Sequence, residues 1–276
     1  MPLRFSKMHG IGNDFVVVDA KAGGFDPPPA QVAAIADRHT GVGFDQLLSI
    51  EPSPDPSCAF YYGIWNADGS PAGQCGNGVR CVAAWLHRAG AIPVDHDTRL
   101  LSPSGPVTVR VLPDGRVSVD MGEPQFSPAS LPFSAEAAET YDLTAGHETV
   151  TLRVVSMGNP HAVVEVDDIE DLRWNELAPL LTSHGAFPEG CNIGFVHQLD
   201  TGHVELRVHE RGSGWTRACG TGACAAAAVL MRAGRLDTTA RVDLPGGPLQ
   251  IDWAGPGHSL WMTGPAAFVF EGEIAA

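Results

Sequence analysis

The sequence predicts an α+β protein of two pseudo-symmetric homologous domains, each a mostly antiparallel β-sheet or barrel wrapped around a central α-helix. The main observation is an internal repeat. Residues 75–90 and 219–234 align without a gap and share a leading Cys-Gly, a second Gly and a closing Arg-Ala-Gly. A period of about half the chain is too long for a solenoid and fits two homologous domains.

Short β-type runs dominate both halves, and an Asp-Gly pair at 114–115 indicates a hairpin between two of them. Both halves therefore read as sheet proteins with few helices. The runs are residues 15–18, 46–50, 59–65, 107–112 and 116–121 in the first half, and 152–155, 162–166, 193–196, 203–208, 241–244 and 249–253 in the second.

Four helices are predicted. The first spans Pro28 to His39, since proline suits a first helical turn. Two more follow Cys75 and Cys219, and each stops at an Arg-Ala-Gly whose glycine fits the end of a helix. The fourth spans Leu172 to Ser183. Each half thus has one central helix that begins at a cysteine.

Composition limits the functional classes. The 276 residues are 44% hydrophobic and carry a formal net charge of −15. Nucleic-acid binding needs a basic surface, so no nucleic-acid partner is expected, although a local site can still hold a small anion. The first residues lack a signal-peptide pattern, and no apolar run reaches membrane-spanning length. We therefore expect a cytoplasmic protein that does not bind membranes.

The chain contains six cysteines. In a cytosolic protein of this size they do not form a disulfide framework, and their spacing does not match a structural zinc site. Two, Cys75 and Cys219, open the repeated segments. The others are expected to be small buried hydrophobes: Cys58, Cys81, Cys191 and Cys224.

A cysteine at the start of a helix meets the partial positive charge of the first-turn amides, which can lower a thiol pKa. The adjacent glycines expose several N–H groups, which form a nest for an anion such as a carboxylate. A phosphate loop is the alternative, but the Lys-Ser/Thr of that motif is missing. Two facing thiols suit removal of a proton from one side of a carbon and its return on the other.

Amino-acid racemases that use pyridoxal phosphate need a lysine for its Schiff base. The sequence has only Lys7 and Lys21, and neither adjoins a convincing phosphate loop. No metal-ligand spacing is present either. We therefore expect a reaction without cofactor or metal.

Polar residues recur at matched places in the two halves. Asn66 and Glu210 each lie nine residues before a helix-starting cysteine. Further pairs are Asn13 with Asn159, and Gln46 with Asn192. Asn and Gly are also ordinary turn residues, but that explanation must then hold for every pair at once.

The motifs together resemble the diaminopimelate epimerase family over essentially the whole chain. The resemblance implies two sheet-and-helix halves with the active site in the cleft between them, and a cofactor-free exchange of LL- and meso-2,6-diaminopimelate. Cys75 and Cys219 would be the base and the acid. The motifs are Met8-His-Gly-Ile-Gly-Asn-Asp-Phe15, Asn66-Ala-Asp-Gly69, Cys75-Gly-Asn-Gly78, Ser156-Met-Gly-Asn-Pro-His161, Glu210-Arg-Gly212 and Ala218-Cys-Gly-Thr-Gly222.

The same resemblance implies roles for the other matched residues. Backbone amides would hold the carboxylate at the reacting carbon, and polar side chains would hold the rest of the amino-acid substrate. His161 and Glu210 would tune the thiol pKa values. The amides belong to Gly76, Asn77, Gly220 and Thr221, and the side chains to Asn13, Gln46, Asn66, Asn159, Asn192, Glu210 and Arg211.

The chain departs from the family pattern at Trp215, where many members have Glu. This residue lies four positions before Cys219 and replaces none of the matched ligands. His9, Asp45 and Asp68 lie in matched motifs, where they can shape turns or touch substrate.

We expect domains at residues 1–121 and 122–263, with a strand at about 264–276 returning to the first domain. Resemblance also implies a homodimer. Two alternatives remain. A proline or hydroxyproline racemase would share the two-thiol plan, but its substrate has one carboxylate and would not need Arg211. A redox switch would explain two nearby thiols but not the matching polar residues.

Overall fold

The structure is a computed structural model, and it describes residues 3–22 and 24–274. The chain divides into two compact units. Unit 1 comprises the described parts of Met1–Asp120 and Thr263–Ala276, and unit 2 is Met121–Met262. The chain passes from unit 1 to unit 2 after Asp120 and returns after Met262, in each case one residue before the boundary expected from the sequence.

Strands make up most of both units, and the helices are few. In chain order, the first part contains β1 (Leu3–Gly10), β2 (Asn13–Asp19), α1 (Pro29–Ala36), β3 (Gln46–Pro52), β4 (Phe60–Asn66), α2 (Gly76–Arg88), β5 (Thr98–Ser102), β6 (Gly105–Val111) and β7 (Val117–Asp120). The rest contains β8 (Tyr141–Ala145), β9 (Glu148–Ser156), β10 (Pro160–Glu165), α3 (Arg173–Thr182), β11 (Asn192–Asp200), β12 (His203–Glu210), β13 (Gly214–Thr216), α4 (Gly220–Arg232), β14 (Thr239–Leu244), β15 (Gly247–Asp252), β16 (Trp261–Gly264) and β17 (Ala267–Ile274).

Unit 1 is a twisted sheet with strand order β17–β1–β2–β3–β4–β5–β6–β7. Among these pairs, β2–β3 and β4–β5 are parallel and the others are antiparallel. Helix α2 packs against β1, β2 and β3 and also against β6 and β7, so strands from both halves of the sheet surround it. The C-terminal strand β17 belongs to this unit because it pairs with β1 along most of its length.

Unit 2 repeats this plan with strand order β8–β9–β10–β11–β12–β14–β15. The short strand β13 pairs with the end of β12. The parallel pairs are β10–β11 and β12–β14, which occupy the same places as the two parallel pairs of unit 1. Helix α4 packs against β9, β10, β11, β12, β14 and β15.

The duplication extends to the strand register. In unit 1, Phe15 pairs with Gln46, and in unit 2, His161 pairs with Asn192. The sequence alignment places these residues at equivalent positions. The matched polar residues therefore sit at the same end of the same strands in both units, beside the start of the central helix.

The central helices are buried and end alike. Ala225–Ala228 on α4 have no exposed surface, which is expected of a helix that is apolar all round. Gly234 follows α4 with φ +69°, and its amide donates to Met231 while that of Arg235 donates to Leu230. This is a Schellman motif, in which glycine adopts the left-handed conformation without a Cβ clash. Among the described residues, no helix combines the length and apolarity needed to cross a bilayer.

All the predicted strands and helices are present, but several strands were not predicted: β1, β5, β8, β13 and β16. Strand β1 contains Arg4 and Lys7 among its apolar residues, and Lys7 is buried because its ammonium group pairs with Asp14 and donates to the Gly43 carbonyl. A contact of this kind is not visible in a hydrophobic pattern. Helix α1 ends at Ala36, earlier than predicted, because the Asp37 side chain accepts the amides of the following turn.

The helix ends give a stability prediction. Replacing Gly234 with Ala forces a residue with a Cβ into φ +69° and should lower the free energy of unfolding by about 1–2 kcal/mol. Gly185→Ala is the matched control, since Gly185 lacks a positive φ and has open space at its Cβ position. Urea denaturation followed by circular dichroism measures both. Equal stability of the two variants would contradict the argument.

Candidate catalytic thiols and their surroundings

Cys75 is the N-cap residue of α2. Its backbone is extended, with φ −143° and ψ 113°, and its sulfur accepts a hydrogen bond from the Gly78 amide at 3.4 Å. The first intrahelical bond runs from Val79 N to Cys75 O. A partly buried sulfur thus lies against the positive end of the helix, as the sequence predicted.

The third residue after each cysteine is glycine for a steric reason. A Cβ on Gly78 would lie 3.3 Å from the Phe15 ring and 3.4 Å from the Cys75 Cβ. A Cβ on Gly222 would lie 2.9 Å from Val208 and 3.2 Å from the Cys219 sulfur. A larger residue would therefore crowd Phe15 slightly at position 78, and at position 222 it would push on the Cys219 sulfur and on β12.

Asn13 is in direct contact with Cys75. Its Oδ1 accepts from the Cys75 thiol at 3.7 Å and from the Asn77 side-chain amide at 3.2 Å. Asn13 begins β2 and Asn77 lies in the first turn of α2, so these contacts tie the strand end to the helix start. Three residues predicted from sequence are thus brought together.

Gln46 and Asn66 form a second polar group in unit 1. The two residues pair across β3 and β4, and Gln46 Nε2 donates to Asn66 Oδ1 at 3.0 Å. Asn66 Nδ2 in turn donates to Ser70 Oγ at 3.1 Å. The other Gln46 atom, Oε1, is buried without a hydrogen-bond partner among the described residues. A buried acceptor in this state is costly, and a bound donor would relieve the cost.

Cys219 is the N-cap residue of α4, with φ −116° and ψ 101°. Its side chain is more enclosed than that of Cys75, and the residue is only 4% exposed. The Thr221 hydroxyl lies 3.7 Å from its sulfur, so either group can donate. Gly220 and Thr221 precede the first intrahelical donor, Ala223, and their amides are therefore positioned as an anion nest.

The expected lowering of the thiol pKa is wrong for Cys219. Burial raises the pKa of this thiol well above its ordinary value, and the charge of the neighbouring Glu210 carboxylate raises it further. The Gly222 amide and the Thr221 hydroxyl oppose these effects without overcoming them. Cys219 is therefore a protonated thiol at neutral pH, which is the form of a proton donor.

Glu210 ends β12 and is held by the hairpin that follows. Thr216 Oγ1, on β13, donates to Glu210 Oε1 at 2.5 Å. In unit 1, the equivalent Asn66 is held by Ser70 in the equivalent turn. The scaffold is therefore the same, but one unit presents a neutral amide and the other a carboxylate.

His161 lies among the paired polar residues of unit 2. Its Nε2 is 3.0 Å from Asn159 Oδ1 and 3.4 Å from Asn192 Nδ2. Complete burial lowers the pKa of His161 to about 3, so its ring is neutral at physiological pH. Any influence on a thiol pKa must then act through hydrogen bonds, since the ring carries no positive charge.

Arg211 is exposed next to Glu210. Its backbone amide donates to Asn192 Oδ1 at 2.9 Å, and its Nη1 donates to the Glu189 carbonyl at 2.7 Å. The aliphatic part of the side chain lies over Gly190, where a Cβ would come within 3.1 Å of Cδ. The guanidinium is therefore fixed on one side and presented to solvent.

Three residues of the matched motifs can shape turns or touch substrate: His9, Asp45 and Asp68. Two of them shape turns. His9 Nδ1 accepts from the Gly12 amide, and Asp68 accepts the amide and hydroxyl of Ser70. Asp45 instead accepts from the side chain of Asn13 at 2.8 Å. The sequence does not predict this contact, because Asn13 and Asp45 lie 32 positions apart in the chain.

Trp215 is part of the support for Glu210. It pairs with His209 across β12 and β13, and its ring packs against Phe195 and beneath the Arg207 guanidinium. Thr182 bonds to His209 at 2.8 Å, which attaches this layer to α3. An aromatic residue at this position therefore packs the hairpin that carries Glu210 and adds no charge.

The remaining cysteines are buried, as predicted: Cys58, Cys81, Cys191 and Cys224. Burial raises the pKa of Cys81 to about 12, so this thiol is inert at neutral pH. Within residues 3–22 and 24–274, no three His, Cys, Asp or Glu side chains cluster in a way that could hold a metal ion.

A family model for diaminopimelate epimerase matches residues 5–127 and 153–269, and the two segments contain Cys75 and Cys219 respectively. The chain belongs to the diaminopimelate epimerase family. Membership of this family makes the protein an isomerase of the epimerase and racemase type. The match also covers both helix starts and all six paired polar residues.

Solved structures share the fold at low identity. A hydroxyproline epimerase from Agrobacterium vitis with bound trans-4-hydroxy-L-proline has TM-score 0.72 at 17% identity, covering 99% of this chain and 92% of that one. A phenazine biosynthesis protein of the PhzF family from Bacillus anthracis has TM-score 0.71 at 15% identity, covering all of both chains. A probable proline racemase from Agrobacterium radiobacter has TM-score 0.70 at 16% identity, covering 99% and 93%. These likenesses concern the fold alone.

The electrostatics of Cys219 can be tested without substrate. Glu210→Gln removes the carboxylate charge that raises the Cys219 pKa, so the thiolate should form at lower pH. The pH profile of Cys219 alkylation by iodoacetamide, resolved by peptide mass spectrometry, should shift toward lower pH. Glu205→Gln on the same strand is the control and should leave the profile unchanged. A wild-type profile for Glu210→Gln would contradict the assigned cause.

Proposed function

We propose that this protein interconverts LL-2,6-diaminopimelate and meso-2,6-diaminopimelate without a cofactor, as a step toward lysine and peptidoglycan precursors. The observation that carries the proposal is the duplicated helix start. Each unit presents one thiol at the N-terminus of a central helix, with matched polar side chains at the ends of the neighbouring strands. The family match over both units supports the same reaction.

Inversion at a carbon needs a base on one face and an acid on the other. Cys219 is a protonated thiol, which fits it to donate a proton, and Cys75 would then act as the base in that direction. In the reverse direction the two residues exchange roles. Proton transfer by a positioned group typically contributes about 10²–10⁴-fold to the rate.

Removal of the α-proton places negative charge on the substrate carboxylate. The first-turn amides of α2 and α4 supply donors for such an anion: Gly76 and Asn77 in one unit, Gly220 and Thr221 in the other. Donors fixed before the reaction stabilise developing charge at no reorganisation cost. This would be the main source of catalysis besides the two thiols.

The rest of the substrate would be held by polar side chains. Arg211 can grip a carboxylate with two N–H groups, and Glu210 can accept from an ammonium group. Gln46, with its unpartnered buried Oε1, offers a further acceptor. Amide side chains would complete the set: Asn13, Asn66, Asn159 and Asn192. A molecule with two carboxylates and two amines uses this chemistry better than proline does.

A homodimer and a cytoplasmic location stay predictions. The proline or hydroxyproline racemase alternative also stays, since a hydroxyproline epimerase and a probable proline racemase share the fold. Turnover of diaminopimelate compared with proline distinguishes the two activities directly.

Both thiols should be required for inversion. Cys75→Ala and Cys219→Ala should each lower kcat for epimerisation at least about a hundredfold, because each removes one proton-transfer group. Cys81→Ala and Cys224→Ala, on the same two helices, are the controls and should retain activity. Circular dichroism gives the rate of inversion, and α-proton exchange into deuterated water gives the separate half-reactions. Near-normal inversion by either single-thiol enzyme would rule out the two-base mechanism.

Arg211 should bind the carboxylate of the substrate that is remote from the reacting carbon. Arg211→Met should lower kcat/KM for diaminopimelate by about ten- to a hundredfold, because a charged hydrogen bond is worth about 1.5–3 kcal/mol and about 1.4 kcal/mol is a factor of ten. Arg241→Met removes an exposed arginine paired with Asp243 in the same unit and serves as the control. Unchanged turnover by Arg211→Met, or a wild-type preference for proline, would refute the substrate assignment.

A further inference from the structure

Asn13 connects Cys75 to a charged group behind it. One end of its side-chain amide, Oδ1, faces the Cys75 thiol and the Asn77 amide. The other end, Nδ2, donates to Asp45 Oδ2 at 2.8 Å. The side chain of Asn13 therefore bridges a catalytic sulfur and a carboxylate that the proposed mechanism does not use.

The chemistry of Asp45 fixes which way this amide points. An ionised carboxylate can only accept hydrogen bonds, so Asn13 must turn its NH₂ group toward Asp45 and its carbonyl oxygen toward the sulfur. A neutral amide or hydroxyl in place of Asp45 could donate as well as accept, and Asn13 could then rotate by half a turn. The charge of Asp45 therefore sets the orientation of the Asn13 amide, and that amide in turn contacts the Cys75 thiol.

Asp45 is itself held by a network of charges. Arg38 Nη2 donates to Asp45 Oδ1 at 2.8 Å, and Arg38 also binds both oxygens of Asp14. The Asp45 amide donates to Asp14 Oδ1, and the Asp14 amide donates to Asp45 Oδ2. Lys7 binds Asp14 from the buried side. Because Asp45 is restrained from several directions, it gives Asn13 a fixed acceptor.

The neighbouring charge keeps Asp14 ionised. Burial by itself raises the pKa of Asp14, but the hydrogen bonds from Arg38 and Lys7 outweigh it and hold the pKa well below its usual range. The network therefore stays charged across the physiological pH range. The network lies at the N-terminal end of β2, where Asn13 is also located.

We propose that Asp45 is a positioning residue, which acts through the amide of Asn13 to hold the Cys75 thiol in its orientation for proton transfer. The proposal rests on the proposed two-thiol reaction. The Asn13 carbonyl oxygen accepts the thiol proton and so directs the S–H group along one line. A rotated Asn13 would offer its NH₂ group instead, which favours the thiolate and changes where the sulfur sits.

Other titratable groups face Cys75 and remain constant in the test. Tyr62 on β4 and Cys81 on α2 interact with it electrostatically, and burial raises the pKa of each. Neither ionises at neutral pH. Asp45 and Asp14 are the charged groups on the β2–β3 side. Arg80 on α2 is a buried cation that donates to the Gly76 carbonyl, next to Cys75, and it is the same in every variant. A change at Asp45 can therefore be read against a constant charge on the other elements.

The experiment is a double-mutant cycle on the full-length protein. Asp45→Asn should lower kcat for epimerisation about tenfold or more, since misplacement of a catalytic group costs rate. The pH profile of Cys75 alkylation by iodoacetamide should shift to lower pH. In an Asn13→Ala background, adding Asp45→Asn should change neither quantity, because the connecting amide is absent.

Controls separate positioning from folding. Asp97→Asn removes a similarly exposed aspartate paired with Arg110 in the same unit, and it should leave kcat and the alkylation profile unchanged. Asp45→Ser is the second variant if Asp45→Asn fails to fold. A wild-type alkylation profile for the folded Asp45 variant would overturn the proposal. An equal shift in the Asn13→Ala background would also overturn it, because Asp45 would then act through its field.

Alkylation needs no substrate, so the result does not depend on which amino acid is turned over. If the wild-type enzyme fails to epimerise diaminopimelate, the substrate assignment is wrong, and the Cys75 profile still decides the role of Asp45.

Discussion

The start of each central helix is the constraint on which the rest of the structure depends. A cysteine with extended backbone angles is followed at once by helix, and glycine occupies the third position after it, where a Cβ would crowd the Phe15 ring in unit 1 and the Cys219 sulfur in unit 2. The first-turn amides then point outward as anion donors. In each unit, strands of the sheet pack against the buried central helix and so fix the position of its first turn.

The two units use one scaffold for different electrostatics. At matched strand ends, unit 1 places the amide of Asn66 and unit 2 places the carboxylate of Glu210. Cys219 is also more deeply buried, and both effects keep it protonated. Cys75 instead faces a carbonyl oxygen whose orientation depends on a network of opposite charges. A duplicated fold therefore yields two thiols that are not chemically equivalent.

Much of this architecture could be predicted because the signals are local. The repeated Cys-Gly-x-Gly segments marked both helix starts, and glycine after Arg-Ala marked both helix ends. Strand β1 was not predicted because Lys7 interrupts its apolar pattern, and the contacts of Lys7 with Asp14 and the Gly43 carbonyl make its burial possible. Helix α1 was predicted too long because Asp37 begins a turn of its own. In each case a side-chain contact outweighed a local preference.

The sequence by itself determined the duplication, the two thiols, their place at helix starts and the family, because these depend on residue type and spacing along the chain. The tertiary structure decided the state of those groups. The Cys219 pKa is raised by burial, His161 is neutral for the same reason, and Asp45 contacts Asn13 across two strands. Desolvation and charge interactions depend on what surrounds a group in space, which spacing along the chain does not specify.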